Sequence, residues 1–453
     1  MIRAGRLRIL VADPQASAQG KRVGFGNLVR HTQQAFEAAH GLGARLCLLG
    51  RTRPLNSAVT ALVSPDVETV PAAGWQHMLL GAIWRMAGPA RAGGWGVWRD
   101  RLVAGAVRRS ARKAMGARAS LGARGRGIVK RADWAEKWAR SLAHEAAKTA
   151  DGQWRRRFRE AGRASRTRLR GLTLEGVRVT MPDDLARRAC AEADVAGIPL
   201  NAPLVALHVR EAGYGRYADA HSRALDDRRN ASIASYEAAA RRLTAAGYTV
   251  VRIGDGSMTP VAWRGVVDLA TAPYRTDLLE LWCVLRSRFF IASDSGPYFL
   301  TRLANLPCLA VNVLQIGYHI ARAQDRFICK RARSRATGHV LSLDEMLSDG
   351  YMAHGLDPER FDQIDNTPDD LADAVTDMLA VVEGDVMRSP AQAAYDRRLA
   401  DLVTRWTQSS RNTSLVIRRH PLGSISRSFA DHYFDTPAPR VAAGHAHAHH
   451  TTH

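Results

Sequence analysis

A buried-type strand ends in residues whose side chains suit a phosphate-bearing ligand. The apolar stretch 204–207 is followed by His208, Val209, Arg210 and Glu211. A guanidinium presents paired N–H donors that match a pyrophosphate, and it stays charged at any working pH. Because ligands of open α/β sheets bind at the carboxyl ends of strands, we expect Arg210 to reach a binding crevice. Glu211 is a candidate general base, with pairing to a neighbouring arginine as the structural alternative.

A second polar motif follows the apolar stretch 289–292. Its residues are Ser293, Asp294, Ser295, Gly296 and Pro297. Glycine lets a backbone approach a ligand closely, proline suits a first helical turn, and free N–H groups at a helix start attract anions. The motif therefore predicts a phosphate-binding turn. An ordinary capped turn between a strand and a helix is the alternative.

Further candidates lie at the ends of other predicted elements. Gly24-Phe25-Gly26-Asn27 opens the first helix, and Asp13 ends the first strand as a second candidate for the general base. Arg229 and Asn230 precede a helix, while Arg252, Gly254 and Asp255 end a strand. We predict that this second group, together with Gly24 and Gly26, contributes to donor binding, although helix capping is the alternative for Asn230. Asp277 fits a helix cap best.

The order of predicted elements indicates an α/β fold. Residues 6–50 read as strand, helix, strand, and from about residue 181 apolar strands again alternate with amphipathic helices. Wholly apolar strands indicate a parallel sheet covered on both faces. We predict two Rossmann-like domains facing a cleft, at 1–75 and 179–385. A helical insertion at 76–178, a helix at 386–410 and a loosely structured, His-rich tail at 411–453 complete the division.

Charge is concentrated in one segment. The formal net charge is +22, and residues 85–170 contain 24 Lys and Arg against 6 Asp and Glu. Tryptophans are interleaved with these charges, which favours basic amphipathic helices that meet an anionic membrane surface. A solvated basic face is the next alternative. Nucleic-acid binding is the least favoured, because no known nucleic-acid module is visible.

Several function classes lack their sequence signals. The chain has no apolar run of the roughly 18 residues that a membrane span needs and no secretory leader, so we expect a cytoplasmic protein. Its five scattered cysteines fit reduced core thiols. The chain contains no Asp-x-Asp, Walker A or strand-linked G-x-G-x-x-G motif. We therefore expect no metal or cofactor.

The motifs "GFGN", "HVR" and "SDSGP", in this order, resemble the fucosyltransferase-like superfamily of GT-B glycosyltransferases. Residues 180–380 look more specifically like a bacterial glycosyltransferase family found with surface-polysaccharide genes. The resemblance implies that Arg210 binds the donor diphosphate and that His208 lies at the nucleotide. It places Asn27 by the reacting sugar, and Ser293, Asp294, Ser295 and Gly296 at the nucleotide or phosphates. The superfamily's loop carries an arginine where this chain has Gly24.

Together these features predict a metal-independent, inverting transferase. It would move sugar from a nucleotide-sugar donor to a surface-polysaccharide or lipid-linked acceptor, attached peripherally at the inner face of the cytoplasmic membrane. A non-catalytic nucleotide- or polysaccharide-binding protein and a polyanion-binding protein are the alternatives.

Overall fold

The computed structural model describes residues 9–12, parts of 28–40, 45–48, 57–67, 179–212, 227–314, 316, 322–408 and 423–434. The whole insertion 76–178, with its basic segment 85–170, lies outside the described residues, as do Asp13, Gly24, Gly26 and Asn27. Predictions on these positions remain predictions.

The N-terminal part contains two short parallel strands. Strand β1 (Ile9–Ala12) pairs with β2 (Arg45–Leu48), with Ile9 opposite Arg45 and Ala12 opposite Leu48. Helical residues lie between 28 and 40, in the connection between the two strands. The predicted order of strand, helix and strand is therefore confirmed here.

The larger part is built on a seven-stranded parallel sheet. Its strands lie in the order β11-β8-β7-β6-β3-β4-β5, and all six pairs of neighbouring strands are parallel. The strands are β3 (Leu204–His208), β4 (Thr249–Arg252), β5 (Val266–Asp268), β6 (Ser287–Ser293), β7 (Cys308–Val313), β8 (Arg326–Cys329) and β11 (Ser424–Ile425). The protein thus has an α/β fold.

Burial explains why these segments form the sheet. Every residue of β3 and of β7 is buried, and only Arg288 of β6 is exposed. A strand that buries both faces needs apolar side chains at successive positions, which is the pattern of these sequences. The strands predicted from the apolar stretches 204–210, 248–254, 265–270, 289–293 and 307–313 are all present, at the bounds given above.

Helices flank the sheet, and several of them begin at a Ser or Thr whose side chain caps the first turn. They are α1 (Ser57–Thr60), α2 (Asp183–Val195), α3 (Glu237–Ala245), α4 (Asp277–Arg286), α5 (Phe299–Leu303), α6 (Leu343–Met346), α7 (Asp349–His354), α8 (Pro368–Val382), α9 (Pro390–Gln408) and α10 (Arg427–Tyr433). Short 3₁₀ turns occupy Ile233–Tyr236 and Gly296–Tyr298. Helix α8 packs against α3, and α2 packs against α4. Thr367 and Asp370 form a reciprocal capping box at the start of α8.

The chain reverses its direction of travel across the sheet between β3 and β6. From β3 it proceeds outward to β4 and β5, and it then returns to form β6 on the other side of β3. The connections at the carboxyl ends of β3 and β6 therefore lead away from each other. This topological switch point is where doubly wound folds open a ligand-binding crevice.

The prediction of a loosely structured tail from residue 411 is wrong for residues 423–434. Strand β11 extends the sheet beside β8, and α10 packs against α8 and α9. Asp377 of α8 anchors this segment, because its carboxylate accepts hydrogen bonds from the Ser426 hydroxyl and from Ser428.

Strands β9 (Arg331–Ser334) and β10 (Phe361–Ile364) form a separate antiparallel pair. Among the described residues, no helix is both long and apolar enough to cross a membrane.

Candidate active site

The two motifs at the switch point lie against each other. His208 is the last residue of β3, and Ser293 is the last residue of β6. The backbone N–H of Arg210 donates a hydrogen bond to the Ser293 hydroxyl at 2.7 Å. Because parallel neighbours end at one edge of the sheet, two motifs more than 80 residues apart form one polar surface.

A third segment, 229–231, joins the same surface. The backbone N–H of Ala231 donates to the carbonyl oxygen of Arg210 at 2.9 Å. The Arg229 side chain donates from Nε to the carbonyl oxygen of Asp294 at 2.9 Å, and its Nη2 lies 3.5 Å from the Asp294 carboxylate. Arg229 therefore connects this segment to the turn after β6, and its side chain is 30% exposed.

Arg210 lies at the predicted edge of the sheet and is largely buried, with 5% of its surface exposed. Its charge is felt by His208, whose pKa it helps to lower. The site thus contains two guanidinium groups: that of Arg210 is buried, and that of Arg229 is partly exposed to solvent.

His208 is a neutral imidazole with a fixed tautomer. Its Nδ1 lies 3.1 Å from the carbonyl oxygen of Ile253, which can only accept, so Nδ1 carries the hydrogen and Nε2 carries the lone pair. Burial, aided by the charges of Arg252 and Arg210, lowers the pKa of His208 from 6.5 to about 4. Near neutral pH this side chain offers an acceptor at Nε2 and adds no charge to the site.

The turn after β6 holds a buried hydroxyl. Ser295 is the N-cap of the 3₁₀ turn that leads into α5, yet its side chain makes no capping hydrogen bond. Within the described residues its Oγ is buried and has no hydrogen-bond partner. A buried hydroxyl in this condition costs about 1–3 kcal/mol, which a ligand oxygen at the turn would recover. Gly296 and Pro297 are half-buried beside it.

Arg252 has a structural role in this geometry, in contrast to the predicted donor contact. It is completely buried, and its guanidinium forms ion pairs with Glu211 and, at 2.9 Å, with Asp268. It also donates to the carbonyl oxygen of Thr259 at 2.8 Å. Glu211 is 8% exposed and is the carboxylate that meets Arg252, so the structure favours the pairing alternative over a general base for Glu211.

Gly254 and Asp255 also have local partners. The N–H of Gly254 donates to Glu280 at 3.0 Å, and its carbonyl accepts from Arg275 at 3.0 Å. A Cβ at Gly254 would meet the sulfur of Met258, so a larger residue here would require that flexible side chain to move. The Asp255 carboxylate accepts from the backbone N–H and the hydroxyl of Ser257, at 2.8 and 2.5 Å. This is the local turn geometry typical of aspartate.

Glu280 is a notable residue of this edge that sequence reasoning did not select. Burial raises its pKa from 4.5 to about 7, although the hydrogen bond from Gly254 opposes the shift. Glu280 belongs to α4. The prediction that Asp277 caps this helix is wrong, because the N-cap is Thr276 and Asp277 is the first helical residue. The Thr276 hydroxyl accepts from the N–H of Leu279 at 3.0 Å. No sequence spacing links Glu280 to the distant backbone of Gly254.

Asn230 does not cap a helix. Its backbone N–H and its side-chain amide both donate to Asp227, the latter at 3.2 Å. Within the described part of the chain, no group of three or more His, Cys, Asp or Glu residues is arranged to hold a metal ion.

Comparison with known proteins adds no relative to this description. No protein-family model matches the chain, and no curated protein or solved structure matches it.

Proposed function

We propose that the protein is a GT-B-type glycosyltransferase that uses a nucleotide-sugar donor. The observation that carries the proposal is the meeting of His208, Arg210 and the Ser293–Ser295 turn at the switch point of a doubly wound sheet. These residues belong to the motifs that resemble the superfamily. The N-terminal Rossmann-like domain at 1–75, and a cleft between it and the domain at 179–385, are part of the proposal.

In the proposed mechanism the donor diphosphate lies between Arg210 and the turn at Ser295. Negative charge on the departing diphosphate grows in the transition state, where a preorganised guanidinium stabilises it without a metal ion. The Ser295 hydroxyl donates to a phosphate oxygen and thereby gains the partner that it lacks among the described residues. The lone pair of His208 accepts a hydrogen bond from a nucleotide or sugar hydroxyl.

The acceptor approaches from the N-terminal part, where Asn27 lies in the GFGN loop. Glu211 is committed to Arg252, so Asp13, immediately after β1, is the candidate general base for an inverting reaction. The acceptor is a surface polysaccharide or a lipid-linked glycan. We propose that the basic segment 85–170 holds the enzyme at the anionic inner face of the cytoplasmic membrane.

The experiment is a donor panel. The purified protein is incubated with UDP-, GDP-, dTDP- and CMP-activated sugars, and nucleotide release is measured by chromatography. We expect release from one nucleotide class, with a rate reduced at least about tenfold in Arg210→Lys, because lysine lacks the two-pronged geometry. The control is Arg241→Ala on the exposed face of α3. Release equal in both variants would refute the role of Arg210. Nucleotide-sugar binding without release or transfer would favour the non-catalytic alternative.

A further inference from the structure

A polar pocket lies beside the site, and the proposed mechanism does not use it, although Asn230 of the predicted donor-binding residues lines it. Its volume is about 310 Å³, at the small end of the roughly 300–1,000 Å³ of known ligand pockets. Its walls come from Asp227, Arg228 and Asn230, from Lys330 and Arg335 directly after β8 and β9, and from β10 with the residues around it. All but two of the residues that line it, Pro358 and Phe361, are polar or charged.

A buried lysine forms one wall. The Lys330 side chain is 3% exposed, and its ammonium donates to the carbonyl oxygen of Asn230 and to Asp365, each at 2.6 Å. An ammonium group has three N–H donors, and these two acceptors use two of them. Lysine is rarely buried to this degree without partners, so the arrangement is a built feature of the pocket.

Asn230, which lines the same pocket, has an unsatisfied acceptor. Its side-chain amide donates to Asp227, while its Oδ1 is buried without a hydrogen-bond partner among the described residues. Such an oxygen is unusual in a folded protein, and an O–H or N–H donor would satisfy it.

The charges of the walls cancel in pairs. Lys330 pairs with Asp365, and Arg335 pairs with Asp362 through two hydrogen bonds of 2.8 and 2.6 Å. Arg228 donates to the carbonyl oxygens of Leu356 and Phe361. A charged ligand therefore gains little net attraction. A neutral ligand with several hydroxyl groups can donate to the carboxylates and Asn230 and accept from the cations, and its C–H face can contact Phe361.

We propose that this pocket is a carbohydrate-binding subsite that takes one neutral sugar residue. It adjoins the switch point through the segment 229–231, in which Arg229 contacts Asp294 and Asn230 lines the pocket. The proposal does not rest on nucleotide binding. Free glycosides, which carry no nucleotide, test the pocket separately from the proposed donor site.

The test follows binding to the full chain by saturation-transfer NMR. It uses the methyl glycosides of glucose, galactose, mannose, rhamnose, fucose and N-acetylglucosamine, each titrated up to about 20 mM, so that dissociation constants in the millimolar range are covered. We expect at least one to bind. Affinity should fall at least about fivefold in both Asn230→Leu and Asp362→Asn. Asp362 is 45% exposed, so the second variant keeps the test valid if Asn230→Leu folds poorly.

Two controls define the outcome. Glu359→Gln changes an exposed carboxylate that does not line the pocket, and Arg241→Ala changes an exposed side chain of α3; both should bind the glycoside like the wild type. The proposal is overturned if no glycoside in the panel binds or if both pocket variants bind normally. It is also overturned if uridine or guanosine displaces the glycoside, which would assign the pocket to a nucleobase.

Discussion

The buried cluster of Arg252, Glu211 and Asp268 allows a sharp test of which residues are structural. Arg252→Met keeps the length of the side chain but leaves two buried carboxylates without their cation. Removal of one partner from a buried ion pair costs about 3–5 kcal/mol, so we expect the free energy of unfolding to fall by about 4 kcal/mol. Glu211→Gln keeps an acceptor oxygen and Asp268 remains, so its cost should be smaller, about 1.5–3 kcal/mol.

Urea unfolding, followed by far-ultraviolet circular dichroism and by tryptophan fluorescence, measures both values, and coincident transitions justify a two-state fit. We expect the double variant Arg252→Met/Glu211→Gln to show a coupling energy of at least about 1 kcal/mol between the two positions. Arg241→Ala is the matched control, because its pair with Glu237 is exposed and worth only about 0.3–0.5 kcal/mol. A loss below about 1 kcal/mol in Arg252→Met would refute the structural assignment. Full stability with abolished turnover in Glu211→Gln would restore Glu211 as the base.

Three further predictions concern single side chains. Because burial raises the pKa of Glu280 from 4.5 to about 7, stability should fall by about 3 kcal/mol as the pH rises through this window, and Glu280→Gln should remove that fall in pH-dependent urea unfolding. The pKa of His208 is lowered from 6.5 to about 4, so its contribution has the opposite sign: stability is lost as the pH falls through that window, by about 3 kcal/mol, and His208→Gln should abolish this loss. Ser295→Ala removes a hydroxyl without a partner among the described residues, so unfolding by urea should be unchanged or up to about 1 kcal/mol harder, whereas nucleoside diphosphate affinity in calorimetry should fall about tenfold. Stability curves of the first two variants that parallel the wild type, or a destabilised Ser295→Ala protein with normal affinity, would contradict these assignments.

The central sheet could be predicted because its strands bury both faces. Short, continuous apolar runs between predicted helices, such as 204–207 and 289–292, are typical of strands in a parallel sheet. The polar residues that follow each run mark the carboxyl end of the strand. The short strands β8 and β11 were missed. Ser424 and Ile425 form a strand only because β8 offers an unpaired edge, and no local periodicity over two residues could indicate it.

The candidate site was predictable in its positions and less so in its pairings. Strand ends that meet at one edge follow from topology, so His208, Arg210 and Ser293 could be grouped in advance. The partner of a polar side chain depends on tertiary contacts. Arg252 meets Glu211 across 41 positions of sequence, and Glu280 meets Gly254 across 26, with no spacing rule behind either pair. Arg210 and Arg252 look alike in sequence, and their surroundings separate them.

Isothermal titration calorimetry of GDP and UDP against the wild type and Arg210→Lys tests the central claim most directly. We predict that at least one of the two nucleotides binds the wild type, and that its affinity falls about 10- to 100-fold when the guanidinium is replaced, as expected for the loss of a charge-assisted hydrogen bond. Circular dichroism confirms that the variant is folded. Absence of binding by both nucleotides, or equal affinity in both proteins, would contradict the assignment of Arg210 to the diphosphate.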